Sequence, residues 1–478
     1  MTTNTTPARL ARAAPRPRVH FAPRRNWMND PNGLVHHDGI HHLFFQYNPE
    51  GTDWGNMSWG HATSEDLVTW TEHEVALRYD DDAQIFSGSI VSDVANTSGF
   101  GTDGRGPLVA LYTAAAEHGQ SQALAWSPDD GATWTKYGVV LDRGTADFRD
   151  PKVFRHEDAW IMVTVEAVDR QIHLYRSEDL RSWHHLSVFG PEGPTEGVWE
   201  CPDLFALDGA WVLTLSVNPG HPTGGSGMLA FVGDFDGVRF TADRWHWLDH
   251  GSDYYAGVTF SGLDRPVMMA WLNNWAYAHE LPEATWRGSM ALPRLLSLRD
   301  GRVIQQPAVA PAEVLRFSAS DVALDEEGWE LPEEGLQTAT RLRLTLVPGD
   351  DVVEISLRGR GQVTALPEIR LTYAAGQVTL ERDGSDMLPG LDAFSTVART
   401  EVALTDHGTL DVEIWIDADS VEVFAAAGAV TLSVLTLADY GRQQLVVRGR
   451  GDGHAVLSEI RAAELLSGVG AAAGATRG

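Results

Sequence analysis

Three carboxylic acids occupy matching positions in a pattern that repeats along the chain. Asp30 lies in the segment WMNDPNG, Asp150 in FRDPK and Glu200 in WECPD. Strongly apolar runs begin at residues 42, 160 and 211, so the three acids precede them by 12, 10 and 11 residues. If the repeats fold alike, the acids converge at one place. Carboxyl groups gathered in this way can act as acid, base or nucleophile on a polar neutral molecule.

Binding of a hard metal ion is the competing use of three such acids. Trp27, Phe148 and Trp199 lie beside them in the sequence, and flat apolar ring faces suit a sugar ring better than a hydrated cation. The chain has one cysteine, Cys201, which excludes an internal disulfide and a thiolate metal cluster. We therefore predict acid–base chemistry with no metal ion and no cofactor.

The charge of the chain narrows the range of partners. Its 478 residues include 36 basic and 66 acidic ones, which gives a formal net charge of −30. An acidic surface repels the phosphate backbone of nucleic acids but is compatible with a neutral carbohydrate. The apolar runs are all much shorter than the roughly 18 residues of a membrane-spanning helix. We expect no nucleic acid and no membrane as partner, and the oligomeric state stays open.

The first 25 residues differ in composition from the rest. They contain six arginines and no acidic residue, with Thr, Ala and Pro between them. This composition predicts a disordered basic arm over residues 1–25. The arm lacks the apolar stretch of a secretory signal. The chain as given is therefore predicted to be cytoplasmic, or secreted if a leader has been removed.

The repeat itself predicts the architecture of the larger part of the chain. Five apolar runs begin at residues 42, 108, 160, 211 and 267, at intervals of 66, 52, 51 and 56 residues. Strand-forming residues between Gly, Asp, Asn and Pro dominate throughout. Such a period suits one four-stranded blade, so we predict an all-β chain that begins with a five-bladed β-propeller. A β-sandwich with coincidental spacing is the alternative.

A second domain is indicated by a change of pattern after residue 294. Apolar and polar residues alternate in RLRLTL (341–346), VEISL (353–357) and VEIWI (412–416). Alternation of this kind is typical of antiparallel strands with one solvated face, as in a β-sandwich. We predict the propeller over residues 26–312, the sandwich over 313–466 and a flexible tail over 467–478. An Ala-rich stretch, 461–466, is predicted to be helical.

Five segments together resemble a known enzyme family. NDPNG (29–33), FSGS (86–89), RDPK (149–152), WECPD (199–203) and DADSVEVF (417–424) are similar, in order and spacing, to the motifs of glycoside hydrolase family 32. That family contains invertases, levanases and inulinases. The segment WGNMSWGH (54–61) resembles most closely the exo-acting levanases and inulinases.

The resemblance implies a retaining double displacement on a β-fructofuranoside. Asp30 would attack the anomeric C2 and form a covalent fructosyl-enzyme. Glu200 would protonate the leaving oxygen and then deprotonate the incoming water. Asp150 would accept hydrogen bonds from the fructose hydroxyls, and Arg149 would help to position the ring. The positions that match the family's fructose pocket are Asn29, Gln46, Trp54, Phe86, Ser87, Arg149, Tyr255 and Trp271.

The resulting hypothesis is an exo-β-fructosidase that acts on levan, inulin, fructo-oligosaccharides and sucrose. A fructosyltransferase or a levanbiose-releasing levanase of the same family is the alternative, because those enzymes share all three acids. A non-catalytic sugar-binding propeller would be expected to lack one of the acids, whereas this chain has all three. A metal-dependent arabinan-type hydrolase on a five-bladed scaffold is a further rival. The preference among fructan linkages is left open.

Overall fold

The computed structural model describes residues 16–102, 104–282, 284–359, 369–384, 388, 390–436 and 443–466. Nearly all regular structure in these ranges is β. Short 3₁₀ helices interrupt it at Ala278–Glu280, Glu333–Gly335, Asp392–Phe394 and Ala426–Gly428. None of the helices in the described ranges has the length and apolar character needed to cross a membrane.

Five small sheets follow one another between Asn26 and Pro307. Their strands are β1 (Asn26–His37), β2 (Ile40–Tyr47), β3 (Ser58–Ser64), β4 (Thr71–Glu72), β5 (Gln84–Ser92), β6 (Leu108–Ala116), β7 (Gly119–Ser127), β8 (Thr135–Leu141), β9 (Phe148–His156), β10 (Ala159–Glu166), β11 (Gln171–Ser177), β12 (His184–Phe189), β13 (Val198–Leu207), β14 (Ala210–Asn218), β15 (Gly227–Phe235), β16 (Phe240–Trp247), β17 (Tyr255–Thr259), β18 (Val267–Trp271), β19 (Trp286–Arg287), β20 (Arg294–Arg299) and β21 (Arg302–Pro307).

The sheets form the five-bladed propeller predicted from the repeat. Four strands pair antiparallel in chain order within each blade, and the fifth blade uses β17, β18, β20 and β21. The first strands of neighbouring blades contact one another in a closed ring, so β1, β5, β9, β13 and β17 surround the axis. The five apolar runs are the second strands, β2, β6, β10, β14 and β18. The short β19 pairs in parallel with β1 and joins the last blade to the first.

A turn of repeated sequence leads to the outermost strand of the first three blades. In the first, the Asp66 carboxylate accepts backbone N–H groups of the turn, and Trp70 Nε1 donates to the carbonyl of Leu67 at 3.2 Å. The same contacts recur in residues 127–134 and 177–183. Side-chain bonds to the local backbone explain why the sequence pattern repeats here.

Two six-stranded sheets face each other in the second domain, as the alternating pattern predicts. Their strands are β22 (Glu313–Ala323), β23 (Trp329–Glu330), β24 (Thr340–Val347), β25 (Val352–Gly359), β26 (Ile369–Ala374), β27 (Gln377–Arg382), β28 (Thr396–Glu401), β29 (Leu410–Asp417), β30 (Ser420–Ala425), β31 (Val430–Leu435), β32 (Gln443–Arg450) and β33 (Val456–Leu465). The two orders are β22-β33-β24-β29-β30-β31 and β23-β32-β25-β26-β27-β28. The predicted boundary at residues 312 and 313 falls between β21 and β22.

The prediction of a helix at residues 461–466 is wrong. Residues 461–465 belong to β33, which pairs with β22 on one side and β24 on the other. Ile460 and Ala462 face the sandwich core, whereas Arg461 is exposed. Alternating burial between two strands thus outweighs the helical preference of alanine.

The predicted disordered arm is too long, because its last residues are anchored between the domains. Backbone N–H groups of Arg18, Val19 and His20 donate to the carboxylate of Asp417 at 2.8–3.2 Å. The buried ring of His20 bridges Asp417 at 2.9 Å and Glu422 at 2.8 Å. Burial lowers the pKa of His20, but the two carboxylates outweigh it and raise that pKa to about 10. Residues 1–15 of the arm and the predicted tail, 467–478, lie outside the described residues.

The interface between propeller and sandwich contains a buried arginine. Arg294 of β20 is fully buried and donates to Asp249 at 2.9 Å and to Glu422 of β30 at 2.6 Å. Its guanidinium also reaches Ser433 of β31 at 2.6 Å. A buried charge needs such partners, since an unpaired ion in the interior is very costly. Glu422 belongs to the late motif, 417–424, which therefore connects the two domains.

Candidate active site

A β-bulge interrupts each of the five axial strands at the same end of the propeller. In β1, two residues lie between Met28 and Pro31, opposite a single residue of β2. One extra residue of this kind also occurs in β5, β9, β13 and β17. A bulge bends the strand and changes the direction of its side chains. The bulged segments contain Asp30, Ser87 and Asp150, and Glu200 and Tyr255 stand at the edges of theirs.

Three of the bulges share one backbone conformation. Asp150, Cys201 and Ala256 have φ angles of 62°, 47° and 54°, in the left-handed region that residues with a side chain seldom adopt. Each N–H has a side-chain acceptor: Asp150 donates to Thr113 Oγ1 at 2.8 Å, and Cys201 to Asp150 Oδ2 at 2.9 Å. Ala256 donates to a serine hydroxyl at 3.0 Å. These hydrogen bonds thus hold the strained backbone in its left-handed conformation beside the acids.

Asp30 is buried and receives two strong hydrogen bonds. Asn29 Nδ2 donates to its Oδ1 at 2.8 Å and Ser87 Oγ to its Oδ2 at 2.6 Å. The Cys201 thiol lies 3.7 Å from the same Oδ2. Burial raises the pKa of Asp30, the nearby charge of Glu200 adds to this, and the bonds from Ser87 and Asn29 oppose it. Both donors stabilise the ionised carboxylate that a nucleophile requires.

Glu200 is the most accessible of the three acids. Its side chain is 21% exposed, whereas that of Asp150 is 6% exposed. Arg149 Nη2 donates to Glu200 Oε1 at 3.1 Å, and the Tyr255 hydroxyl donates to Oε2. These donors from the neighbouring blades fix the carboxyl group at the cavity surface. A partly exposed, oriented carboxyl can exchange protons with a ligand and with water.

Asp150 is buried, and its Oδ2 accepts the backbone N–H of Cys201 at 2.9 Å and lies 3.9 Å from Nε of Arg149. Burial and the charge of Glu200 raise the pKa of Asp150 to about 7, while the adjacent guanidinium of Arg149 limits the increase. Arg149 also donates to Gln120 at 3.2 Å and to Asp147 at 3.2 Å, so its side chain is held from several sides. A carboxylate in this setting can accept hydrogen bonds from ligand hydroxyls and attract developing positive charge.

These groups surround a cavity of about 250 Å³ at one end of the propeller axis. It is smaller than the roughly 300–1,000 Å³ of sites for drug-sized ligands, and it suits one sugar ring. Trp54 lies at its mouth, 41% exposed, with its ring 5.9 Å from that of Phe86. The lining residues are Asn29, Asp30, Gln46, Trp54, Phe86, Ser87, Gln120, Arg149, Asp150, Glu200, Asn218 and Trp275.

Two of the predicted binding residues do not line this cavity. Tyr255 is buried and touches Glu200 through its hydroxyl. Trp271 is fully buried, and its ring lies 4.8 Å from that of Trp275, which takes the cavity-lining position. The sequence offered a signal for Trp275, since it lies four residues after Trp271. Gln120 and Asn218 were missed, because single polar residues at strand ends carry no pattern.

A candidate cation site occurs elsewhere in the described residues. Ligand atoms of His37, Asp38 and Asp130 lie within 4.8 Å of one another. The guanidinium of Arg105 already forms ion pairs with both acids, at 3.5 and 3.2 Å. Its positive charge therefore already compensates both carboxylates. The cluster also lies roughly 20 Å from Asp30 along β1, at the rise of an extended strand.

Family models and individual relatives match this chain to the same protein family. The model of the glycosyl hydrolases family 32 N-terminal domain matches residues 20–307, and that of the family 32 C-terminal domain matches residues 330–458. The extracellular exo-inulinase of Aspergillus niger is 38% identical over 475 residues, which cover 87% of this chain and 88% of the relative. The levanase of Bacillus subtilis (strain 168) is 38% identical over 471 residues, which cover 93% of this chain and 69% of the relative.

Solved structures agree with these sequence matches. The β-fructofuranosidase of Schwanniomyces occidentalis, solved with fructosyl-erythritol, superposes with a TM-score of 0.87 at 31% identity. The superposition covers 95% of this chain and 98% of the other. Propeller and sandwich are therefore shared over almost the whole chain.

Proposed function

The chain belongs to glycosyl hydrolase family 32, and we propose that it is a retaining exo-β-fructosidase. Its substrates would be the terminal β-D-fructofuranosyl residues of levan, inulin and fructo-oligosaccharides, together with sucrose. The observation that carries the proposal is the cavity for one sugar ring with Asp30, Asp150 and Glu200 in its wall. The activities named for the relatives, exo-inulinase and levanase, support the same conclusion.

In the first chemical step, Asp30 attacks C2 of the bound fructosyl unit while Glu200 gives its proton to the leaving oxygen. The hydrogen bonds from Asn29 and Ser87 support this assignment, because they favour the ionised form of Asp30. In the second step Glu200 takes a proton from water, which attacks C2, breaks the bond between C2 and Asp30 and releases fructose. The exposure of Glu200 supports its contact with water.

Asp150 and Arg149 bind the sugar and stabilise the transition state. Positive charge develops at C2 and the ring oxygen as the glycosidic bond breaks. A buried carboxylate near that charge acts strongly, because little water screens it. Arg149, which contacts Glu200 at 3.1 Å and lies 3.9 Å from Asp150, keeps the two acids in a fixed relation.

The exo mode of action is tested by the first products. Incubation with levan, inulin and sucrose, followed chromatographically from the earliest minutes, is expected to yield free fructose from each polymer without disaccharides or longer fragments. The small size of the cavity, about 250 Å³ and suited to one sugar ring, is the reason for this expectation. Asp30→Asn serves as the control and should release no fructose. Early levanbiose or longer oligomers would show that the cavity opens beyond one sugar.

The same experiment separates hydrolysis from transfer. With sucrose at high concentration, a hydrolase releases fructose and glucose in equal amounts, whereas a fructosyltransferase releases less fructose than glucose. Equal release is expected, since the relatives named above are hydrolases. A protein that only binds sugar would not need all three acids in its binding cavity. This cavity contains all of them.

The pH dependence of kcat/KM tests the role assigned to Ser87. Because burial raises the pKa of Asp30 and the Ser87 hydroxyl opposes this increase, Ser87→Ala should raise that pKa further. Loss of one hydrogen bond to a charged group is worth about 1.5–3 kcal/mol, which corresponds to about one to two pH units. The acid limb of kcat/KM should move upward by that amount, and activity above the limb should be less affected.

Ser89→Ala is the matched control for this measurement. Ser89 lies two residues further along β5, is equally buried, and bonds to backbone groups of β9 at 2.9 and 3.0 Å instead of to an acid. Its replacement should leave the acid limb in place. An unmoved limb in Ser87→Ala would mean that Asp30 does not determine it.

We further propose that the enzyme acts outside the cell, as the name of the Aspergillus relatives states for them. Levan and inulin are large polymers, which supports an extracellular site of action. Fructan-degrading activity measured in the culture medium and in washed, lysed cells of the source organism tests this. Activity confined to the lysate would favour the cytoplasmic alternative and short imported substrates.

A further inference from the structure

A buried ion pair lies directly beneath the acids on the propeller axis. Lys152 Nζ of β9 is 3.2 Å from Asp203 Oδ2 of β13, and the two residues are 5% and 0% exposed. Lys152 also donates to the carbonyl oxygen of Thr259 in β17. Thr259 in turn donates its N–H and its hydroxyl to Asp203 at 2.6 and 2.7 Å. The three residues thus connect the axial strands of three neighbouring blades.

The location of this network relative to the acids is regular. Lys152 follows Asp150 by two residues, and Asp203 follows Glu200 by three. Thr259 follows Tyr255, the hydroxyl donor to Glu200, by four. Each member therefore lies just beyond the bulge that carries a group of the active site. A relative shift of these strands would change the geometry of all three groups.

A small axial void separates the network from the cavity. It measures about 10 Å³ and is bordered by both Asp150 and Lys152, and also by Asn32, Ser87 and Cys201. Its size allows at most one water molecule. Lys152 and Asp150 therefore border the same water-sized void from the axial strand β9.

Stability alone does not account for a buried ion pair at this place. Two charges lose much hydration on burial, and well-packed apolar residues of similar volume often give equal or greater stability. Asp203 Oδ1 is moreover buried without a hydrogen-bond partner in the described part of the chain, which adds to the cost. What the pair supplies is a directional link between strands with strained backbones at Asp150 and Cys201.

We propose that Lys152 and Asp203 form a positioning pair, which fixes Asp150 and Glu200 relative to each other for the fructosyl transfer step. The inference rests on the proposed β-fructosidase function. The pair touches no substrate and acts through the strands that carry the acids. Misplacement of a reacting group by about 1 Å can cost about 100-fold in rate, so even a small rearrangement is measurable.

The double variant Lys152→Met/Asp203→Asn separates positioning from folding. It removes both charges and nearly keeps the volume, and the new amide oxygen at position 203 can still accept the two bonds from Thr259. Each single variant leaves an unpaired buried charge and should lower Tm strongly. The double variant should recover most of that Tm loss, yet its kcat should remain about 10- to 100-fold below wild type with KM changed less than about threefold.

Lys136→Met is the matched control, because Lys136 is the other lysine of the chain and pairs with Asp80 at the surface. It should leave kcat unchanged. A double variant with recovered Tm and a kcat within about threefold of wild type would overturn the proposal. If the double variant does not fold, Thr259→Val decides, and a kcat equal to wild type there would also overturn it. Absence of fructose release by the wild-type enzyme would instead refute the proposed function.

Discussion

Replacement of Asp30 by Asn is expected to lower kcat on sucrose and on levan by about 10⁴-fold or more, because an amide at this position cannot form the covalent intermediate. The fold should tolerate the change. Asp30 is buried, and burial raises its pKa, so a neutral amide avoids the desolvation cost that the carboxylate bears. Tm is therefore expected to be unchanged or higher. Differential scanning calorimetry and steady-state kinetics on the same preparation check both expectations.

Glu200→Gln provides the contrast that assigns the two roles. Loss of a general acid typically costs about 10²–10⁴-fold, and the cost falls when the leaving group needs no proton. An activated aryl β-fructofuranoside should therefore restore much of the first step in Glu200→Gln but nothing in Asp30→Asn. The second step remains slow in Glu200→Gln, so a fructosyl group should accumulate on the peptide containing Asp30. Equal responses of the two variants, or a label on another residue, would contradict the assignment.

The in-phase spacing of the acids was sufficient to predict their convergence. Each axial strand begins a blade, and each blade has its longest apolar run in the second strand. A fixed distance before that run therefore corresponds to a fixed height along the axis, which applies to Asp30, Asp150 and Glu200 alike. The sequence could not reveal the bulges, although all five axial strands have one, because a bulge depends on the pairing of two strands.

Site residues that do not lie at the repeated positions of the axial strands were harder to predict. Gln120 is the second residue of β7 and Asn218 is the last residue of β14, and both line the cavity. The anchoring of His20 depends on Asp417 and Glu422, about 400 positions away in the chain. Contacts over such a separation follow from the packing of one domain on another, for which a single sequence contains no local signal.

That packing depends on Arg294, and Arg294→Met is expected to lower the free energy of unfolding by about 3–5 kcal/mol. The substitution leaves Asp249 and Glu422 buried at the domain interface with fewer partners. His20 then faces Glu422 without the arginine that helps to lower the pKa of Glu422 to about 2. The pKa of Glu422 would rise in the variant. Protonation of Glu422 would then weaken its contact with His20 of the N-terminal segment.

Arg316→Met is the control for this prediction, since Arg316 pairs with Glu464 at the surface of the sandwich with 43% of its side chain exposed. Exposed pairs are worth about 0–1 kcal/mol, so Tm should change little. Calorimetry of both variants gives the comparison directly. The hydrogen-bond partners described for Arg294 all lie outside the cavity lining, so kcat at a temperature where the variant is folded should stay near wild type. Equal stability of the two variants would mean that the domains are held together mainly by their apolar contacts.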